Sequence, residues 1–443
     1  MFPDPNSRSA KLFERAQKVL AGGNTRFAVY TAPYQVYAVR GSGSRVVDVD
    51  GVERLDLQNN MTVLIHGHAH PAIMERVREQ LERGTCFGLS TESEIALAEV
   101  LCSRVPSFDI VRFVNSGTEA VMTAMKAARA YTGRPKIAKA EGSYHGSYDY
   151  AEVSLDSTPE NWGDLDRPNS VPYAVGTPQG VLEDVVVLPF NDPDQALRIL
   201  ETQKDELAGV LIDPLPGRFG LIPATPDFLD MVRGFTRRTG SLLIFDEVIC
   251  FRLGYRGAQT EFECEPDLTA LGKVVGGGFP IGVVAGRKDV MSVFDLTRDR
   301  PPVFQGGTFN ANPVSMVAGL AAMELLTPTV FDRLNGLGAL ARAKMAEAFV
   351  TAGAPGQVTG MGSLFRIHTT DRAISDYRTY YPSAAEKQEL EWLWRYLLNH
   401  GILITKMGMG ALSTVTTEAE IELFSETLLG GLQEMQSEGI AAA

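Results

Sequence analysis

The sequence predicts an α/β protein: a large, mostly parallel mixed sheet flanked by helices, plus a smaller α+β domain built from both chain ends. Three observations predict it. Short apolar runs at 110–114, 136–138, 185–189, 209–212, 241–245 and 281–285 alternate with helical stretches, the pattern of strands covered on both faces. Segments 34–39, 45–49 and 54–57 alternate in polarity and are joined by Gly41-Ser42-Gly43 and Asp50-Gly51. They read as an antiparallel meander, because Asp-Gly supplies the positive φ angles of tight hairpins. Beyond Met323 the chain returns to amphipathic helices at 331–352, 385–400 and 418–436, with short strands such as 362–367 between them.

Individual elements carry their own signals. The helix within 222–240 has Thr225 as N-cap, Pro226 in its first turn and Gly240 as its stop. The expected division is 1–60 for an N-terminal helix and meander, 61–323 for the large domain and 324–443 for the C-terminal part, with the first and last forming the small domain together.

Composition narrows the function classes. The 443 residues hold 41 Lys+Arg against 54 Asp+Glu, a formal net charge of −13, which argues against a broad nucleic-acid or anionic-membrane surface. With 44% hydrophobic residues the chain can fill two or three cored domains, and its glycines and prolines show no repeat period. Cys86, Cys102, Cys250 and Cys264 form no CxxC pair, so neither a disulfide scaffold nor a thiolate zinc site is indicated. The first twenty residues lack the apolar core of a secretion signal, and no run approaches the roughly 20 apolar residues of a membrane span. A reducing, cytoplasmic location is expected.

Four elements carry chemistry. Leu242-Leu243-Ile244-Phe245 ends at Asp246-Glu247-Val248, setting a carboxylate at the carboxyl end of a central strand, where α/β folds collect ligands. A lone buried carboxylate is disfavoured unless a cation or good donors meet it; the competing reading is a strand-end acid capping the next turn. Lys273 follows the apolar run 268–271 and precedes Gly276-Gly277-Gly278. Desolvation lowers an amine's pKa, as a Schiff-base lysine requires. The segment fails as a P-loop, because Val274 stands where Ser or Thr should. Asn115-Ser116-Gly117-Thr118-Glu119 opens a helix after a strand, an anion site for phosphate, although Ser116 with Glu119 also spells an ordinary capping box. Gly142-Ser143-Tyr144-His145-Gly146 offers a ring on which a flat cofactor could stack, or simply a core anchor.

Together these supply what pyridoxal 5′-phosphate (PLP) requires: a helix start for its phosphate, an amine for its aldehyde, an aromatic for its ring and a carboxylate for its pyridine nitrogen. In these stretches, and in Gly307-Thr308-Phe309-Asn310-Ala311-Asn312-Pro313, the chain resembles the class III aminotransferases of fold type I, and within them the glutamate-1-semialdehyde aminomutase-like branch. The resemblance implies that Ser116, Gly117 and Thr118 bind phosphate, that Tyr144 and Val248 sandwich the ring, and that Asp246 and Lys273 are the pyridine partner and the Schiff-base lysine. It also implies a homodimer with shared active sites, in which Thr308 reaches the phosphate of the neighbouring subunit.

Departures from the branch bear on the substrate. Met61 stands where the aminomutases have an aromatic, and Thr405-Lys406-Met407-Gly408-Met409-Gly410 lacks their acidic residue. Met407 also occupies the region where the similar β-amino-acid aminotransferases carry a carboxylate-binding arginine, whereas Arg26 matches their other one. The family's Glu-Pro appears as Asp213-Pro214, with Arg218 just beyond. His66, His68 and His70 alternate as zinc ligands can, but Gly67 to Pro71 resembles a structural turn of the family, and no metal is expected. The expected activity is transfer of an amino group from an amine or β-amino acid to a keto acid, pyruvate or 2-oxoglutarate. An aminomutase or racemase on the same scaffold is the alternative, and a PLP-binding protein without catalysis a further one.

Overall fold

The computed structural model describes residues 1–440. They divide into two units, one of Met1–Pro71, Arg333–Arg372 and the chain from Pro382 onward, the other of Ala72–Asp332 and Ala373–Tyr381. These divisions fall after Pro71 and Asp332, where the sequence placed them after 60 and 323. Segment 373–381 belongs to the larger unit because its side chains are anchored there: the Tyr377 hydroxyl donates to the Ser157 carbonyl at 2.6 Å and Arg378 pairs with Glu141 at 2.7 Å.

The larger unit is built on seven strands: β1 (Ile110–Val114), β2 (Lys136–Ala140), β3 (Val185–Leu188), β4 (Leu207–Ile212), β5 (Leu242–Asp246), β6 (Leu268–Gly272) and β7 (Gly282–Gly286). Their order is β1-β7-β6-β5-β4-β2-β3. Only β7 runs antiparallel to its neighbours; the other pairings are parallel. Side-chain alternation sorts the apolar runs into two cores. Ile137, Leu211, Leu242, Ile244 and Ala270 pack with Ala120, Val121 and Ala124 of helix α1 (Gly117–Thr132). Ala138, Val210, Ile212, Leu243 and Phe245 pack on the other face with Leu200 of α2 (Pro193–Gln203) and with Phe228 and Val232 of α3 (Pro226–Thr239). Thr225 caps α3 by accepting from the Phe228 amide at 3.3 Å, and Gly240 ends it at φ 72°. Asp246 has the parity of Leu242 and Ile244, so its side chain leaves β5 on the α1 face.

In the smaller unit, Ala38–Ser42, Arg45–Asp48 and Glu53–Asp56 form the antiparallel meander, and Ile402–Leu403 adds to it in parallel beside Glu53–Asp56. The first strand starts later than the predicted 34–39 and runs through Gly41 and Ser42, which the sequence reads as turn. A Cβ on Gly41 would collide with the His68 ring, so this glycine serves close approach, and Gly43, at φ 55°, makes the turn. A second antiparallel sheet joins Gln357–Thr359, Leu364–His368 and Met409–Ala411. Helices Ala384–Asn399 and Glu418–Ser437 pack together, each opened by a capping box, Ser383 with Glu386 and Thr417 with Glu420.

One segment of this unit is strained. Asn59, Asn60, Met61 and Thr62 are four consecutive left-handed residues, with φ 48°, 50°, 57° and 71°. That conformation costs about 1–2 kcal/mol per non-glycine residue, less for Asn. Its anchors are buried: the Asn59 amide donates to Asp56 Oδ1 at 2.8 Å, Asn59 Nδ2 to the Ala411 carbonyl at 2.7 Å, and the Thr62 amide to the Gln58 carbonyl at 3.0 Å.

Among the described residues no single helix is long and apolar enough to cross a membrane.

Asp267, just before β6, ties three elements of the larger unit through one buried carboxylate. It accepts from the Leu243 amide of β5 at 2.8 Å, from Arg233 of α3 at 2.7 Å and from Arg287 after β7 at 2.7 Å. Asp267→Asn is expected to lower the unfolding free energy by about 2 kcal/mol, less than a wholly buried pair because Arg287 is partly solvated. The urea midpoint checks this; an unchanged midpoint removes the role.

Candidate active site

Three strand ends of the larger unit converge. β5 delivers Asp246, its neighbour β6 leads directly into Lys273, and β1 leads into the start of α1. Asp246 lies opposite Ala270 in the parallel register, and the Glu247 amide donates to the Ala270 carbonyl at 2.9 Å, so the two chain exits leave the sheet side by side.

At the start of α1, Ser116 is the N-cap, its Oγ accepting from the Glu119 amide at 3.2 Å. Only half of the capping box forms. The Glu119 carboxylate reaches past Ser116 to the Asn115 amide at 2.9 Å. The amides of Gly117 and Thr118 therefore have no acceptor among the described residues, the condition for an anion site at a helix N-terminus. Gly117 lies against Val248: a Cβ there would come within 2.9 Å of the valine side chain. Thr118 Oγ1 accepts from the Ser147 amide at 3.2 Å, which brings the 142–147 turn to the same place.

That turn supplies a residue to which the sequence assigned no role. His145 is buried, and its Nδ1 meets Asp246 Oδ2 at 2.8 Å. The other oxygen of Asp246 accepts from the Val248 amide at 3.0 Å. Burial lowers the pKa of His145 against the opposing pull of Asp246, so the neutral ring donates from Nδ1. Its Nε2, also buried, has no hydrogen-bond partner among the described residues. Asp246 and His145 are 101 residues apart, a distance no local pattern crosses; the only signal was a histidine between an aromatic and a glycine.

Lys273 is partly buried, holds a left-handed φ of 47°, and its amine makes no hydrogen bond among the described residues. Burial lowers its pKa, while Asp246, Asp213 and Cys250 pull the other way. Asp213, the Asp of the Asp-Pro pair, is pushed up to about 7 by burial and then by Asp246. Burial likewise raises Glu247 to about 7, although the Ala258 amide donates to it at 2.6 Å. Asp213 and Glu247 thus hold their protons to higher pH than free carboxyls, chiefly because burial penalises their charged forms.

Of the residues singled out in the sequence, Ser116, Gly117, Thr118, Val248, Asp246 and Lys273 come together here. Tyr144 stays exposed on the turn that carries His145. Thr308 is placed differently, on an open groove lined also by Phe87, Leu89, Ile95 and Asn310, none of which belongs to the lysine cluster. Its loop is nevertheless fastened to the cradle, since Asn115 Nδ2 donates to Asn310 Oδ1 at 3.0 Å. Arg26, Met61 and Met407 lie in the smaller unit. There Arg26 Nη2 donates to Asn60 Oδ1 at 2.8 Å, and Met61, next along, accepts on its sulfur from Gln58 Nε2 at 3.5 Å. Arg218 pairs with Asp156 at 3.1 Å. His68 is bonded to Asp56 at 2.7 Å and His66 to Thr414 at 3.1 Å, and among the described residues no cluster of three such side chains could hold a metal.

Residues 27–426 match the family "Aminotransferase class-III". The chain belongs to the class III aminotransferases. A glutamate-1-semialdehyde 2,1-aminomutase from Ignicoccus hospitalis is 39% identical over 95% of this chain and 99% of its own length. Among solved structures, an omega-transaminase from Sphaerobacter thermophilus is 55% identical, with a TM-score of 0.96 over 98% of this chain and 99% of the other. A β-phenylalanine aminotransferase from Variovorax paradoxus is 33% identical, with a TM-score of 0.86 over 97% of this chain and 94% of the other. The fold is therefore the fold type I of PLP transaminases, the protein is a PLP-dependent enzyme of the aminotransferase/aminomutase kind, and its cofactor is pyridoxal 5′-phosphate. The residues present fit that group: an unbonded amine, two open helix amides and a buried carboxylate are what it needs.

Lys139, on β2, is fully buried with its amine donating to the Val153 carbonyl at 2.7 Å, and burial brings its pKa down from 10.5 to about 7. Between those two values the unfolded chain binds more protons than the folded one, so this group makes stability rise with pH from about 7 to about 10. Lys139→Met is expected to flatten that rise and to be more stable than the parent at pH 7. Urea unfolding from pH 7 to 10 is the measurement, and an unaltered slope would refute a lowered lysine.

Proposed function

We propose that the protein is an aminotransferase working by a ping-pong cycle, taking the amino group from a hydrophobic amine or β-amino acid and giving it to a keto acid, pyruvate or 2-oxoglutarate. The observation that carries this is the amine of Lys273, desolvated and unbonded, next to the buried Asp246 that His145 holds in place. When bound, the cofactor draws electrons from the substrate carbon and carries the amino group between the two half-reactions.

The chain's own groups then have these roles. Lys273 would hold the cofactor through Nζ and, once the donor has displaced it, that amine would serve as the base that takes and returns the proton of the substrate carbon. Burial lowers its pKa, which favours the neutral amine that a base requires. Asp246 receives the pyridine nitrogen, oriented by His145 Nδ1 and the Val248 amide. Ser116, Gly117 and Thr118 bind the phosphate with the open amides and two hydroxyls. Tyr144 and Val248 flank the ring. Arg26 takes a carboxylate of donor or acceptor, while Met61 and Met407 contribute an adaptable apolar wall. A second copy of the chain covers the exposed Phe87, Leu89, Ile95 and Phe309 and receives Thr308 at its phosphate, giving a homodimer with shared sites.

The intramolecular aminomutase reaction is the second reading, favoured by the similarity to the aminomutase of Ignicoccus hospitalis. Met61 and the loop without an acid at 405–410 speak for transfer to a separate acceptor.

A panel of amine donors, scored by loss of the cofactor's near-visible absorbance before any acceptor is added, tests the assignment. Hydrophobic amines and β-amino acids are expected to remove the band, and pyruvate or 2-oxoglutarate to restore it. Product formation indifferent to added keto acid would establish the mutase instead. Lys273→Ala is expected to abolish covalent attachment and turnover, and Asp246→Asn to lower kcat at least about hundredfold; retained turnover in Lys273→Ala rejects the reading.

A further inference from the structure

The left-handed turn Asn59–Thr62 joins two of the residues that the proposed function uses, and it does so through Asn60. Arg26 is exposed and has no carboxylate partner among the described residues. Its one side-chain bond goes to a neutral amide, Asn60 Oδ1, at 2.8 Å. Its backbone is held as well: the Arg26 amide donates to Asn24 Oδ1 at 2.8 Å and Asn24 Nδ2 to the Arg26 carbonyl at 3.0 Å. A guanidinium has five donors in a planar fork, so one bond to Asn60 fixes the plane and leaves most of the fork open.

Both features of position 60 are matched to this. Asn is the residue that best tolerates a left-handed backbone after glycine, and φ there is 50°. An acid would tolerate it also but would pair with Arg26 and cancel its charge. The turn itself is held by the buried Asn59 and Thr62, while Asn60 stands exposed between them. Strain of this kind persists only where the surroundings over-determine it, and it concentrates at functional positions.

We propose that Asn60 is a positioning residue for substrate recognition: it orients the Arg26 guanidinium toward the carboxylate of a β-amino acid or keto acid without neutralising it. This rests on the reading of Arg26 given above. Met61, on the same rigid turn, then meets the apolar part of a molecule whose carboxylate Arg26 holds.

The test uses the holoenzyme with two probes, 3-phenylpropionate for the carboxylate and 2-phenylethylamine for the amine without one. Their dissociation constants are measured by calorimetry, beside KM and kcat for a β-amino acid donor. Asn60→Asp and Asn60→Gly both suit the left-handed backbone, so either variant can fold even if the other does not. Asn60→Asp is expected to weaken the carboxylate probe and raise the donor KM at least tenfold, and Asn60→Gly several-fold, with kcat and amine binding unchanged. Equal losses for both probes would mean a merely structural role and overturn the proposal. If Arg26→Ala weakens the carboxylate probe but both Asn60 variants bind it normally, the positioning role fails and the Arg26 reading stands. If Arg26→Ala itself leaves that probe unaffected, the Arg26 reading fails and the proposal with it.

Discussion

The hydrogen bond between His145 Nδ1 and Asp246 Oδ2 holds a carboxyl at the end of a wholly apolar strand, and the larger unit is organised around keeping it there. Asp246 is taken out of water with only two protein donors, His145 and the Val248 amide. Burial acts on its neighbours as well: it raises Asp213 and Glu247 to about 7 and pushes the Cys250 thiol well above its ordinary value. Lys273 arrives among these acids from the adjacent strand, and desolvation lowers its pKa in spite of them. A partly buried base and a buried acid kept close, but not joined in a salt bridge, form an arrangement that a cofactor can complete.

The same economy governs the anion cradle. Ser116 serves the helix with its Oγ, while Glu119 turns back to Asn115, which in turn holds Asn310. Two amides are left open as a consequence. The bonds that close an ordinary helix start are here redistributed to neighbouring backbone and to the loop carrying Thr308, so rigidity is kept and binding capacity is not used up.

On the proposed reading, the residues assigned to chemistry and those assigned to selectivity fall on different parts of the chain. Cofactor-directed residues lie in the larger unit, on strand ends and one helix start. Residues 26, 60, 61 and 407, to which substrate discrimination is assigned, lie in the smaller one. A relative named an aminomutase and a solved structure named an omega-transaminase share this scaffold, as expected where function lives in a few side chains set on a common fold.

Period and punctuation were enough for most of the fold. The six apolar runs and the run before Lys273 all lie in one sheet, because strands buried on both faces need continuous apolar residues whatever their neighbours. The strand at 34–39 was misplaced, since a glycine that admits a histidine ring and a glycine that turns the chain look identical in sequence. Lys273, Asp246 and Ser116 were legible because each lies where an apolar strand stops and a polar group must be explained. The sequence by itself determined the family, the cofactor and which residues stand at strand ends. Only the tertiary structure decided that His145 holds Asp246 and that Asn60 holds Arg26, because a hydrogen bond between distant residues depends on orientation in space, and no periodicity along a chain records it.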